Sequence, residues 1–244
     1  MTQARYIAAD SETTGLDPLH TAIIELGATI LDEKLQPVED TIFHCFIQPP
    51  DKARIEAQAI KINGHTWVHD QTCETFKNAL LPAKAWADFV AFLRRHFGNT
   101  LKPAPIIVGW NPSFDEGFLK QLYRAYLRRL ANENGMTLEQ LQERPLPGHG
   151  WPLHYHKIDG IGIARWLDIC TGTTRKSYGL ANLRKELCPE GPEWLATKYG
   201  ASHGALADVF AMLDVLGVMT TQHRHNVLDE AVERGAIVGP ARYP

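Results

Sequence analysis

From Tyr6 to Ala9 a short apolar run ends on Asp10, the pattern of a buried strand that delivers an acid to its end. Between Thr21 and Asp32, Ile24, Leu26, Ala28 and Ile30 alternate with other residues at the two-residue period of a strand. A turn-like DEKLQP follows, and a third strand is predicted over Ile42 to Gln48, before Pro49-Pro50. Three strands joined by short turns predict an antiparallel meander. The period then lengthens: Trp86, Phe89, Val90, Leu93 and Phe97 share one helical face, on a helix starting near Pro82. Ile106 to Trp110 reads as a buried strand bracketed by prolines. Leu119, Leu122, Tyr126 and Leu130 mark another helix, whose apolar face Phe118 widens.

Residues 131–157 read as an insert, with MTLEQLQE of helical pattern and a loop rich in Pro, Gly and His after it. Ile158 to Leu167 and Leu180 to Leu187 are helical or mixed. A strong helix runs from Ala205 to about Thr221, and the tail to Pro244 adds another short helix. Strands come first and mixed elements follow, which predicts one α/β domain over residues 1–225, with the tail 226–244 packed on it.

The chain has 244 residues, 44% hydrophobic and 22% charged, enough to bury a sizeable core. With 28 acidic against 25 basic side chains the formal net charge is −3, so binding of a polyanion by bulk positive charge is disfavoured. A local grip through metal ions is compatible with it. Cys45, Cys73, Cys170 and Cys188 lie far apart without a CxxC pair, as reduced thiols of a cytosol-like compartment do. The first residues lack the apolar length of a signal peptide, and no apolar run approaches the ~20 residues of a membrane span. The expectation is a soluble, cytoplasmic protein with no membrane partner.

Three short segments carry the candidate chemistry. In Asp10-Ser11-Glu12-Thr13-Thr14-Gly15, a strand would point Asp10 and Glu12 to one face, while the Ser11 side chain would point away from the acids. Paired carboxylates repel unless a cation or a shared proton offsets them, and hard divalent ions suit oxygen-only ligands. In Asn111-Pro112-Ser113-Phe114-Asp115, Asp115 opens a helix, where the dipole favours its charge. In His203-Gly204-Ala205-Leu206-Ala207-Asp208, Asp208 shares a helical stripe with Ala211, Met212 and Val215, so its burial calls for a cation or strong donors. His203 precedes that helix and has the pKa range of a proton acceptor. Acids of this kind around two divalent ions can stabilise both the attacking and leaving oxygens of a phosphodiester.

These segments resemble, in order, the three motifs of the DEDDh 3′→5′ exonucleases, the group that contains polymerase proofreading subunits and ribonuclease T: DxETTG, N-x-x-F-D and H-x-A-x-x-D. The resemblance spans residues 10 to 208. It implies a ribonuclease H-like fold, a mixed five-stranded sheet flanked by helices. It also implies hydrolysis from a 3′ end that releases nucleoside 5′-monophosphates. Asp10, Glu12, Asp115 and Asp208 would ligate two divalent metals, Mg²⁺ or Mn²⁺, and His203 would be the general base. The backbone at Thr13 and Thr14 would hold the terminal nucleotide, with Leu16 and Phe114 against the last bases or sugars and Asn111 supporting the site or touching substrate. Ile62-Asn63-Gly64-His65-Thr66 resembles a further family segment beside the 3′ end, which makes His65 a candidate contact. The implied partner is single-stranded or 3′-terminal nucleic acid, with DNA favoured slightly over RNA. A homodimer and a polymerase partner are both left open.

His149, His154 and His156 are read as a solvated loop in preference to a zinc site. Small basic clusters, among them Arg124, Arg128 and Arg129, and Arg175-Lys176, are weighed equally as upstream phosphate contacts and as ordinary solvated faces.

Overall fold

The structure, a computed structural model, describes residues 5–143, 146–188 and 204–233. They divide between two compact units. One holds the chain up to Asp159 and returns for residues up to Phe210; the other holds the chain from Gly160 and again from Ala211.

The first unit is built on a five-stranded sheet of order β3-β2-β1-β4-β5. Strands β1 (Tyr6–Thr13), β2 (Ile23–Leu31) and β3 (Pro37–Phe46) form the antiparallel meander that the alternation predicts. Strand β4 (Ile106–Gly109) pairs parallel with β1, and β5 (Lys157–Asp159) parallel with β4. A parallel neighbour requires a long crossover, and the chain supplies it through α1 (Ala57–Asn63), a 3-10 turn (Thr66–His69), α2 (Glu74–Asn78) and α3 (Pro82–Phe97). The next crossover carries α4 (Pro112–Glu133) and α5 (Leu138–Glu143). One sheet face is closed by α3 and α4, where Ile7, Ala9, Leu26, Ala28 and Ile30 meet Trp86, Phe89, Leu93, Phe118 and Leu122 in one core.

One expectation shifts. The third strand begins at Pro37 instead of Ile42, because β3 is an edge strand whose first half is largely exposed and carries no apolar signature. Residues 131–157, read as an insert, pack against the rest of the first unit. Leu127, Ala131 and Leu141 close a small cluster with Met136, Leu138 and Leu146, while Trp151 stacks on Trp86 with ring centroids 5.3 Å apart.

The second unit contains α6 (Gly160–Thr171), α7 (Leu180–Leu187) and most of α8 (Ala205–Glu233). The tail helix expected beyond Thr221 is the continuation of α8, since no Gly or Pro interrupts residues 218–233. No helix among the described residues is long and apolar enough to cross a membrane.

Candidate active site

Strand alternation places Asp10 and Glu12 on the face of β1 opposite to Ile7 and Ala9. Directly across the antiparallel ladder stand Gly27 beside Asp10 and Glu25 beside Glu12, on the same face. Gly27 has a packing reason: a Cβ there would come within 2.5 Å of the Leu206 backbone nitrogen. The bare backbone lets the first turn of α8 settle on the sheet, and that turn carries Asp208. As a result one ligand atom from each of Asp10, Glu12 and Asp208 lies within 4.8 Å of the others, the only such group of three His, Cys, Asp or Glu residues among the described residues.

Asp115 reaches the same end of the sheet from the other face, in the first turn of α4. It is 2% exposed and accepts a hydrogen bond of 2.7 Å from the Ser11 hydroxyl. Pointing away from Asp10 and Glu12 is what brings Ser11 to Asp115. Asn111, just before α4, sits in the left-handed region at φ 68°, and its backbone N–H donates to Asp159 Oδ1 at 3.2 Å. Asp159 thus ties the end of β5 to the loop that aims Asp115.

The electrostatics follow from this crowding. Burial, then the charges of Asp115, Asp208, Glu12 and Glu25, push Asp10 well above the ordinary carboxylate range. Burial, then Asp208 and Glu25, push Glu12 to about 9, against a hydrogen bond from Asn63. Burial raises Asp115 to about 6, with the Ser11 hydrogen bonds opposing it. Glu25 behaves oppositely. Burial disfavours its charge, but Nε2 of His44 and Nε2 of His65 each lie 2.7 Å from one of its oxygens and bring it down to about 2. Clustered, oxygen-only, partly desolvated acids whose protons are held too tightly are the donor set that a hard divalent cation fits, since a cation offsets the repulsion that raises them.

The remaining candidates occupy the same end of the first unit. Both threonine hydroxyls are engaged by backbone, Thr13 on the Gly15 carbonyl within the turn and Thr14 on the carbonyl of distant Arg54, each at 2.7 Å. Leu16 is 79% exposed, an unusual state for a leucine beside a buried turn. Phe114 is half-buried against Phe118. His65 has a largely buried ring engaged by Glu25. His203 lies outside the described residues.

Two weaker readings resolve. The His149 ring turns inward to the Tyr126 hydroxyl at 2.5 Å, and no His cluster capable of holding a metal forms among the described residues. The Arg175 guanidinium is engaged within the fold, paired with Asp168 at 2.8 Å and with Glu186. Sequence reasoning missed Glu25 and Gly27, and it took in Asn63 only as part of the segment Ile62 to Thr66, with no role of its own. The one signal available was Glu25 itself, a lone acid within the wholly apolar run Ile23 to Leu31 apart from Gly27 and Thr29.

A family model described as "Exonuclease", that of RNase T, matches residues 7–138, more than half of the chain, and the chain belongs to this exonuclease family. It is 30% identical to Ribonuclease T of Haemophilus ducreyi over 116 residues, 47% of this chain and 52% of that protein. Among solved structures it resembles E. coli Exonuclease I in complex with a dT13 oligonucleotide, with a TM-score of 0.64, 17% identity, and coverage of 94% of this chain and 44% of that one. The zinc-bound form of the E. coli Exonuclease I complex with single-stranded DNA gives a TM-score of 0.54 at 18% identity, covering 91% of this chain and 41% of that chain. The fold is thus the ribonuclease H-like fold of these exonucleases. The chain spans about half the length of the Ribonuclease T relative and less than half of Exonuclease I.

Proposed function

We propose that this chain is a metal-dependent 3′→5′ exonuclease that hydrolyses the terminal phosphodiester of a nucleic acid strand and releases nucleoside 5′-monophosphates. The observation that carries the reading is the approach of Asp10, Glu12 and Asp208 to within 4.8 Å, with buried Asp115 arriving from the other face of the sheet. These four carboxylates would hold two divalent ions, Mg²⁺ or Mn²⁺. When bound, such ions neutralise the phosphate and stabilise the charge that develops on the attacking and leaving oxygens. The family's metal dependence and the oxygen-only donor set support this.

The chain's own residues perform the rest. The turn at Thr13 and Thr14, held by hydroxyl bonds to the Gly15 and Arg54 carbonyls, presents backbone to the terminal nucleotide. Leu16 and Phe114 offer apolar surface to the last bases or sugars, and Asn111 braces that end of the site. His203 takes the proton from the attacking water. DNA is favoured slightly as substrate, in keeping with the oligodeoxynucleotide held by the Exonuclease I neighbour. The Ribonuclease T relative supports RNA ends as the second reading.

Incubation with 5′-labelled DNA and RNA oligonucleotides, with Mg²⁺, Mn²⁺ or chelator, tests the proposal. We expect a ladder that shortens from the 3′ end and stops with chelator, and the faster ladder identifies the sugar. Asp10→Ala and Asp208→Ala should abolish it. Full activity in either variant would sink the site.

A further inference from the structure

The two surplus histidines around Glu25 belong to a chain of hydrogen bonds that ends on the backbone beside a proposed metal ligand. Glu25 on β2 stands directly across from Glu12 on β1, with its side chain 5% exposed. Its oxygens are each engaged by one imidazole at 2.7 Å, His44 of β3 on Oε1 and His65 of the loop after α1 on Oε2. An ionised carboxylate only accepts, so both Nε2 atoms carry the proton and donate.

His65 is held at its ring by Glu25, and its backbone N–H donates to Oδ1 of Asn63 at 3.1 Å. Asn63 is the last residue of α1 and 8% exposed; Gly64, at φ 71°, turns the chain there. With Oδ1 engaged by residue 65, the Asn63 amide nitrogen faces the site. It donates to the Thr13 carbonyl at 3.0 Å, one residue beyond Glu12 on β1. Both polar atoms of this buried amide are engaged, which fixes its orientation against the Thr13 carbonyl beside Glu12.

We infer that Asn63 is a positioning residue for Glu12, and that Glu25, clamped between His44 and His65, holds Asn63 in place. Glu12 sits where β1 loses register with β2, between Glu12 and Thr13. The ladder therefore constrains this end of β1 less than it constrains Asp10, and the Asn63 amide, bonded to the Thr13 carbonyl, supplies the missing constraint. The clamp also separates the roles of two neighbouring acids on one face. Glu25 keeps its charge neutralised by imidazole donors and is withdrawn from the metal cluster, while Glu12 stays available to a cation. The inference rests on the metal-site reading proposed above.

Partners of metal ligands typically change affinity or activity 10–100-fold when removed. The test is Mn²⁺ binding by electron paramagnetic resonance and calorimetry, alongside kcat and KM on an oligonucleotide, for wild type, Asn63→Ala, Glu25→Gln, His65→Phe and His65→Gln. Asn63→Ala should weaken Mn²⁺ binding about 10-fold or more and lower kcat with KM little changed. Glu25→Gln and His65→Phe should follow in the same direction, and His65→Gln, whose amide can still donate to Glu25, should recover much of the loss. Unchanged Mn²⁺ affinity in folded Asn63→Ala and Glu25→Gln, whether melting temperature falls or KM rises, would overturn the positioning role. Absence of Mn²⁺ binding by the wild type would overturn the metal site itself.

Discussion

Neutralising Glu12 should make the metal-free protein more stable while destroying the proposed activity. Burial and the neighbouring charges of Asp208 and Glu25 raise this carboxyl from 4.5 to about 9. A raised carboxyl favours the folded state fully only below the unfolded pKa, and that contribution is lost as pH rises toward the folded value. At pH 7.5 the unfolded chain has released the proton and the folded one retains it. The distance from 4.5 to 7.5, at 1.36 kcal/mol per unit, sets a ceiling of about 4 kcal/mol on the cost. Glu12→Gln removes the titration and keeps the shape and an acceptor for Asn63. In urea unfolding with EDTA at pH 7.5 it should gain roughly 2–4 kcal/mol, and at pH 5 about 1 kcal/mol or less. Mg²⁺ should then stabilise the wild type more than the variant, because a ligand that binds only the folded state shifts stability by mass action. A gain independent of pH, or a variant less stable at pH 7.5, would refute the reasoning.

Two other expectations concern residues without catalytic chemistry of their own. Gly27→Ala would drive a methyl to 2.5 Å from the Leu206 backbone nitrogen, where no side chain can yield. It should cost about 1–3 kcal/mol by denaturant unfolding, and displacement of Asp208 should lower oligonucleotide cleavage at least about 10-fold. Ser11→Ala removes the 2.7 Å donor to buried Asp115, and a hydrogen bond to a charged group is worth about 1.5–3 kcal/mol, so cleavage should fall about 10-fold or more. Ser11→Thr, which keeps the hydroxyl, should restore it, as steady-state kinetics with an unchanged circular dichroism spectrum would show.

Much of the fold was legible because its signals are local. The alternation of Ile24, Leu26, Ala28 and Ile30 marks one strand, and the stripe of Trp86, Phe89, Leu93 and Phe97 marks one helix. Edge strand β3 and the short helices of residues 57–78 were harder. An edge strand is held by backbone pairing to β2, and short helices are held by packing, so neither imprints a long apolar period.

The site divides along the same line. The identities of Asp10, Glu12, Asp115 and Asp208, and the shared face of the first two, follow from the chain alone, because motif order and strand period are properties of residues near one another. What lies across a ladder or beneath a helix is set by register and packing between distant segments. Only the tertiary structure opposed Glu25 to Glu12 and Gly27 to Asp10, brought the Ser11 hydroxyl to Asp115 as a donor, and withdrew Arg175 into ion pairs with Asp168 and Glu186. Local chemistry named the acids. Their spacing, protonation and support depend on which faces meet, and a one-residue change in register would rearrange them all.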